Sequence, residues 1–379
     1  MRASVWMRVL EIQMRLNRRI KMDKIDEIMN KFISELGYKD ACEMFVKISS
    51  GKKLRSKLLL KIAGESEISL KLCAIIELIH LASLLHDDVI DEANIRRGKP
   101  SINALYGSKN SVMLGDILYS KAFFELTKFE PSIAAVVSDA VSKLSIGEMM
   151  DVKMAENFNE NEQEYLKMIY YKTAVLIEAT AICGAKLAGK DSEKFGIYGK
   201  NLGLAFQIVD DILDITQDEK TLGKPALNDF VEGKTTLPYI YLYKSLDEAG
   251  KTKLKSLWSK KLNAGEISWL KEEFIKTNSL QKAVNEAKRL GTEAIESIKK
   301  AVLDNNADFG IIFDADGDRS AFIDKNGREI NRNNLIALLS EILLKEHSGG
   351  IIVTDSITSA GLKEFIENRG GIHHRFQRG

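Results

Sequence analysis

The sequence predicts an all-α helical bundle over residues 22–304, followed by a small, incomplete α/β segment over 305–379. Three observations carry that reading. Apolar residues recur at helical spacing through the first part, with no strand alternation of any length. The four prolines, Pro100, Pro131, Pro225 and Pro238, all precede residue 304, and three sit beside charged motifs where a helix must end. After Asn305 and Asn306, short apolar runs alternate with helical stretches, the pattern of α/β structure.

Taken in order, residues 1–21 carry Arg2, Arg8, Arg15, Arg18, Arg19 and Lys21 against the single acid Glu11. They lack a long apolar core and so do not read as a secretory signal. They are expected to be a non-native or disordered extension ahead of a start at Met22, with a basic arm on anionic lipid as the alternative. Helices are expected at 68–92, 132–156, 164–187 and 195–215. Strands are expected at 308–313 and 349–354, a hairpin turn at Lys325-Asn326-Gly327, and helices at 333–346 and 357–368. The domain boundary falls near residue 304.

At 379 residues, with 45% hydrophobic and 29% charged content, the chain has ample core for a large domain and a smaller one. A net charge of +1 gives no reason to invoke nucleic acid. Cys42, Cys73 and Cys183 are scattered and odd in number, which argues against a disulfide framework or a zinc site. They suit a cytoplasmic, reducing compartment, with membrane association left open by the basic arm. No segment reads as a membrane span, because the strongest apolar run, 72–85, is short and broken by Glu77 and His80.

Two acidic clusters of identical spacing lie in apolar helical stretches: Asp87-Asp88-Val89-Ile90-Asp91 and Asp210-Asp211-Ile212-Leu213-Asp214. On a helix, i and i+4 share a face, so Asp87 pairs with Asp91 and Asp210 with Asp214. Carboxylates are costly in apolar surroundings unless partnered. Two clusters facing one cavity make an oxygen-rich site for a hard divalent cation, Mg²⁺ above all. Basic residues gather around them: Lys52, Lys53 and Arg55 before a helix, Arg96, Arg97 and Lys99 after the first cluster, Lys172 mid-helix, and Lys224 and Lys234 after the second. Singly, each reads as a solvated charge. Together, beside carboxylate metal sites, they suit a diphosphate held between Mg²⁺ and cations.

The ordered motifs GKKLR, HDDVIDEANIRRGKPS, YKTA and FQIVDDILD…LGKP…GKTTLP resemble those of trans-type isoprenyl diphosphate synthases, over roughly residues 40–240. Minor departures are Ser50-Gly51 for a double glycine, Ser56 for a proline and Leu227 for a small residue. The resemblance implies an isoprenoid synthase bundle condensing an allylic diphosphate with isopentenyl diphosphate to a medium or long all-trans polyprenyl diphosphate. It implies about three Mg²⁺ ions per site, held by Asp87, Asp91 and Asp210, with Asp88, Asp211 and Asp214 completing the site through water or outer contacts. Arg96, Lys172, Lys224 and Lys234 would hold the allylic diphosphate; Lys52, Arg55, His80 and Arg97 would hold isopentenyl diphosphate. Thr173 and Gln207 would turn oxygens toward the allylic cation. A homodimer delivering its product to membrane enzymes is also implied. The alternatives are a short-chain farnesyl or geranylgeranyl diphosphate synthase, a terpene cyclase and a non-catalytic partner subunit of a heteromeric synthase.

For product length, Ala82 and Ser83 form a small wall about one helical turn below Asp87, with Phe123 or Phe124 as floor. In the last segment, Asp314-Ala315-Asp316-Gly317-Asp318-Arg319 resembles the metal loop of α-D-phosphohexomutases, so Asp314, Asp316 and Asp318 would bind metal. That family's phosphoserine and sugar-recognition loops are missing, so a fusion remnant or join is expected.

Overall fold

The computed structural model describes residues 22–48, 51–216, 227–304, 306–313, 320–355 and 358–376. The chain divides into two compact units, Met22–Ser297 and a second containing Ile298–Gly379.

In the first unit, α1 (22–34) and α2 (Lys39–Lys47) lead to α3 (Leu54–Ala63) and α4 (Glu67–Ile90). A capping box between Ser66 and Ser69 starts α4, and every residue from Leu72 to Ile79 is buried. By composition α4 is long and apolar enough to cross a membrane, yet 67% of its most apolar window is buried inside the protein, as a core helix requires. A hairpin follows, β1 (Ile95–Arg96) against β2 (Lys99–Pro100). Its central residues Arg97 and Gly98 both have positive φ, the demand of a two-residue I′ turn. Periodicity alone could not show so short a ladder inside a helical sequence. Then come α5 (Ile102–Tyr106), α6 (Ser108–Leu126) and α7 (Pro131–Met154).

The helix expected at 164–187 is not continuous. It runs as α8 (Glu162–Ile169), a π-helical turn (Tyr170–Ala174) and α9 (Val175–Leu187). Next are α10 (Ser192–Thr216), α11 (Asn228–Val231), α12 (Leu237–Ser245), α13 (Glu248–Leu257), α14 (Ala264–Thr277) and α15 (Ser279–Asp304). One apolar core joins α4, α6, α7 and α9. A second gathers α8, α10, α12 and α15, and a third forms where α11 to α14 pack. Leu85 of α4 belongs to the first core and Ile208 and Ile212 of α10 to the second, so both aspartate clusters adjoin packed apolar layers.

The second unit has an antiparallel sheet of β3 (Phe309–Phe313), β4 (Ser320–Asp324) and β5 (Glu329–Ile330). It continues with α16 (Arg332–Glu346), β6 (Ile351–Asp355), α17 (Ala360–Glu367) and β7 (Ile372–Phe376), with β6 parallel to β7. One face of that pair is apolar and exposed through Ile351, Val353, Ile372 and Phe376, as is a stripe of α16 through Leu338, Leu339 and Ile342. Asp314, Asp316 and Asp318, with the loop they occupy, lie outside the described residues.

Candidate active site

Asp87 near the end of α4 and Asp210 on α10 open onto the same two cavities, with Lys172 of the π turn. The smaller, about 190 Å³, also receives Asp91, Asp151, Asp211, Asp229 and Lys234. The larger, about 1470 Å³, runs from the basic motifs to an apolar wall of Leu81, Leu84, Leu144, Leu176 and Ile177. That exceeds the ~300–1,000 Å³ of an ordinary small-molecule pocket and suits an extended hydrocarbon.

Carboxylates and cations interlock at the mouth. Arg96 reaches from the hairpin to Asp87 at 2.7 Å and to Asp88 at 2.5 Å. Lys172 lies 3.2 Å from Asp87, 3.1 Å from Glu148 and 2.6 Å from Asp151. Lys234 lies 3.0 Å from Asp91. Burial alone would raise the Asp87 carboxyl, but Lys172, Arg96 and Lys234 outweigh it and hold it below the ordinary range. Burial would likewise lower the Lys172 ammonium, yet Asp151, Asp87 and Glu148 keep it firmly charged.

The second cluster is built differently. Asp211 is buried, accepts hydrogen bonds from the Tyr165 hydroxyl and the Gln207 amide, and is pushed up to about 8 by burial and the nearby Asp229. Thr173 donates to Gln207 Oε1 at 2.8 Å, so a continuous chain links the π turn to α10. Only Asp210 of that cluster stands exposed at the cavity. Asp214 is buried and accepts the Asp229 backbone N–H at 3.2 Å, and Asp88 is buried behind Asp87. Asp88 and Asp214 are thus buried beside the cavity; the resemblance implies that they act through water or outer contacts. The inward carboxylates supply only oxygen donors, the set Mg²⁺ prefers. Among the described residues, no three His, Cys, Asp or Glu side chains close on one point.

Lys52, Arg55, His80 and Arg97 line one stretch of the larger cavity together. The Arg97 guanidinium lies close over the backbone at Gly51, within 2.8 Å of where a Cβ would stand. Burial, then Arg55, Arg97 and Arg96, hold the His80 imidazole well below its usual value and hence neutral. Burial, resisted by Glu77 and reinforced by Arg97, lowers the Arg55 guanidinium to about 10, and its Nε is buried with no hydrogen-bond partner. This is a region in want of an anion. Lys53 is set apart from Lys52: buried, it pairs with Asp26 and donates to the Met22 carbonyl at 3.1 Å. Lys224 lies outside the described residues.

The chain-length assignments need two corrections. Ala82 is wholly buried in the core rather than at the cavity, because the helix turns it toward its packed side. Phe124 is 56% exposed, its ring beneath the ammonium groups of Lys121 and Lys128, so it is no floor. Ser83 does line the cavity. Phe123 is partly buried and stacks at 6.4 Å on Tyr119, the α6 aromatic that does line it. Glu148, Asp151, Tyr165 and Asp229 were missed. The i, i+3 pair Glu148 and Asp151 on α7 was the available signal.

A family model described as polyprenyl synthetase matches residues 38–274. The chain belongs to the polyprenyl synthetase family. It is 38% identical over 221 residues to a short chain isoprenyl diphosphate synthase of Methanothermobacter thermautotrophicus, covering 55% of this chain and 68% of that protein. It is 35% identical over 302 residues to a geranylgeranyl diphosphate synthase of Sulfolobus acidocaldarius, covering 74% and 89%. Octaprenyl pyrophosphate synthase of Helicobacter pylori superposes with a TM-score of 0.71 at 44% identity, covering 74% of this chain and 94% of that one. The family match ends well before the second unit.

Proposed function

We propose that this polyprenyl diphosphate synthase condenses an allylic diphosphate with isopentenyl diphosphate into a medium or long all-trans chain. The observation that carries it is the two-part mouth: interlocked carboxylates and cations on one side, the Arg55, His80 and Arg97 group on the other, both opening on one large apolar cavity. Asp87, Asp91 and Asp210 would hold Mg²⁺, which supplies charge neutralisation to a departing diphosphate. Lys172, Lys234 and Arg96 bind the same diphosphate oxygens and keep them aligned. Thr173 and Gln207 present oxygens to the cation left behind, and the apolar walls exclude water from it. Neutral His80 donates a hydrogen bond, while Lys52, Arg55 and Arg97 carry the charge that fixes the second diphosphate.

The size of the cavity and the likeness to an octaprenyl synthase favour a long product. The short-chain relatives favour a second reading, a farnesyl or geranylgeranyl product. Incubation with labelled isopentenyl diphosphate, farnesyl diphosphate and Mg²⁺, followed by sizing of the extracted product, decides between them; no elongation at all would sink both. Three Mg²⁺ ions, a cytoplasmic homodimer and delivery to membrane enzymes complete the proposal. The exposed Met113 of α6 and Ile146 of α7 support a paired surface. The second unit, phosphohexomutase-like in its loop sequence, takes no part in prenyl transfer.

A further inference from the structure

The helix α3 begins without a local cap. Its N-cap residue Lys53 is left-handed (φ 49°, ψ 48°), and no side chain of its own caps the first turn. Early N–H groups of a helix need outside partners. The partner comes from α4: Glu77 Oε1 accepts the Ser56 hydroxyl at 2.6 Å and the Ser56 backbone N–H at 3.3 Å. Both residues are buried, Ser56 fully and Glu77 at 5% exposure. Cys73, one turn earlier on α4, donates its thiol to the Ser56 carbonyl at 3.6 Å, so the same residue is gripped from two sides.

We infer that Glu77 and Ser56 are positioning residues for the isopentenyl diphosphate site, fixing the rotation of the first turn of α3 so that Arg55 faces the anion. This inference rests on the function proposed above. Arg55 precedes Ser56, and Glu77 lines the same cavity as Arg55, His80 and Arg97. The carboxylate thus does two things at once. It satisfies the start of α3, and it offsets the repulsion among the Arg55, Arg96 and Arg97 guanidinium groups. A serine supplies two donors to one carboxylate oxygen, where a proline at that position would supply neither.

The test is steady-state kinetics on the full chain with Mg²⁺, farnesyl diphosphate and isopentenyl diphosphate varied in turn. Ser56→Ala and Glu77→Ala are expected to raise KM for isopentenyl diphosphate about tenfold, the scale of a lost charge-assisted hydrogen bond. Both should leave kcat and KM for farnesyl diphosphate within about twofold, and Ser56→Thr, which keeps both donors, should restore the wild-type KM. An unchanged KM for isopentenyl diphosphate in folded Ser56→Ala overturns the positioning role, even if Glu77→Ala fails to fold. Arg55→Gln is the control: if it too leaves that KM unmoved, the second diphosphate site itself is misassigned.

Discussion

At the residue scale, position decides which carboxylates can reach a ligand in the cavity. Asp87 and Asp210 face the cavity, whereas Asp88 and Asp214 are buried behind it. Asp87→Ala or Asp210→Ala is expected to cut turnover by roughly three orders of magnitude with the helical circular dichroism unchanged. Near wild-type turnover in either folded variant would refute the metal assignment. Because Ser83 lines the cavity and Ala82 does not, Ser83→Tyr should shorten the product, while Ala82→Tyr should mainly destabilise the core. Product sizing beside thermal melts separates the two. His80 carries a pH effect whose sign is fixed. Its folded pKa lies below the unfolded value, so the unfolded chain takes up the proton first. Stability is therefore lost as pH falls through about 6.5. His80→Gln should flatten that part of the melting profile; an unchanged slope between pH 7 and 5 would contradict it.

At the element scale, the π turn is the main departure from regular structure. It sits between two glycines: a Cβ at Gly147 of α7 would fall 2.3 Å from the Lys172 backbone nitrogen, and one at Gly203 of α10 would fall 2.5 Å from the Ala174 Cα. Both neighbouring helices can approach only because those side chains are missing. Gly147→Ala should therefore destabilise the protein by about 1–3 kcal/mol and depress kcat through Lys172. Gly291→Ala on α15, where nothing lies within 4 Å, should stabilise by about 0.4–1 kcal/mol. Chemical denaturation of the pair checks the contrast, and equal effects would show that the close approach is unimportant. Of the four expected helices, those at α4, α7 and α10 were legible because their apolar stripes are long and uniform, whereas α6 and α15, of comparable length, were not among them. The π turn was not legible, since one surplus residue barely disturbs a 3.6-residue pattern. The hairpin at Arg97 was hidden for a similar reason: its strands are two residues each, too short for alternation to register. The aspartate pairs were legible at once, because charge inside an apolar helix is conspicuous. Asp151 and Glu148 were not, because a carboxylate pair on an amphipathic helix looks like any solvated face.

At the scale of the whole molecule, both aspartate clusters and the described basic residues of the site belong to the first unit. Deleting residues 305–379 should leave prenyl transfer within about twofold and should lower the binding of a hydrophobic dye, since the exposed faces of β6, β7 and α16 go with it. Loss of activity in a folded truncation would make the second unit functional. The interlocked mouth has one more consequence. With Lys172, Arg96 and Lys234 already seated against Asp87 and Asp91, the protein behaves like an ion-exchange resin supplied with its own counter-ions. Its fold is therefore expected not to depend on a bound cation, unlike a small zinc domain that collapses in chelator. Stripping divalent ions with EDTA should abolish turnover yet move the melting temperature by no more than about 2 °C.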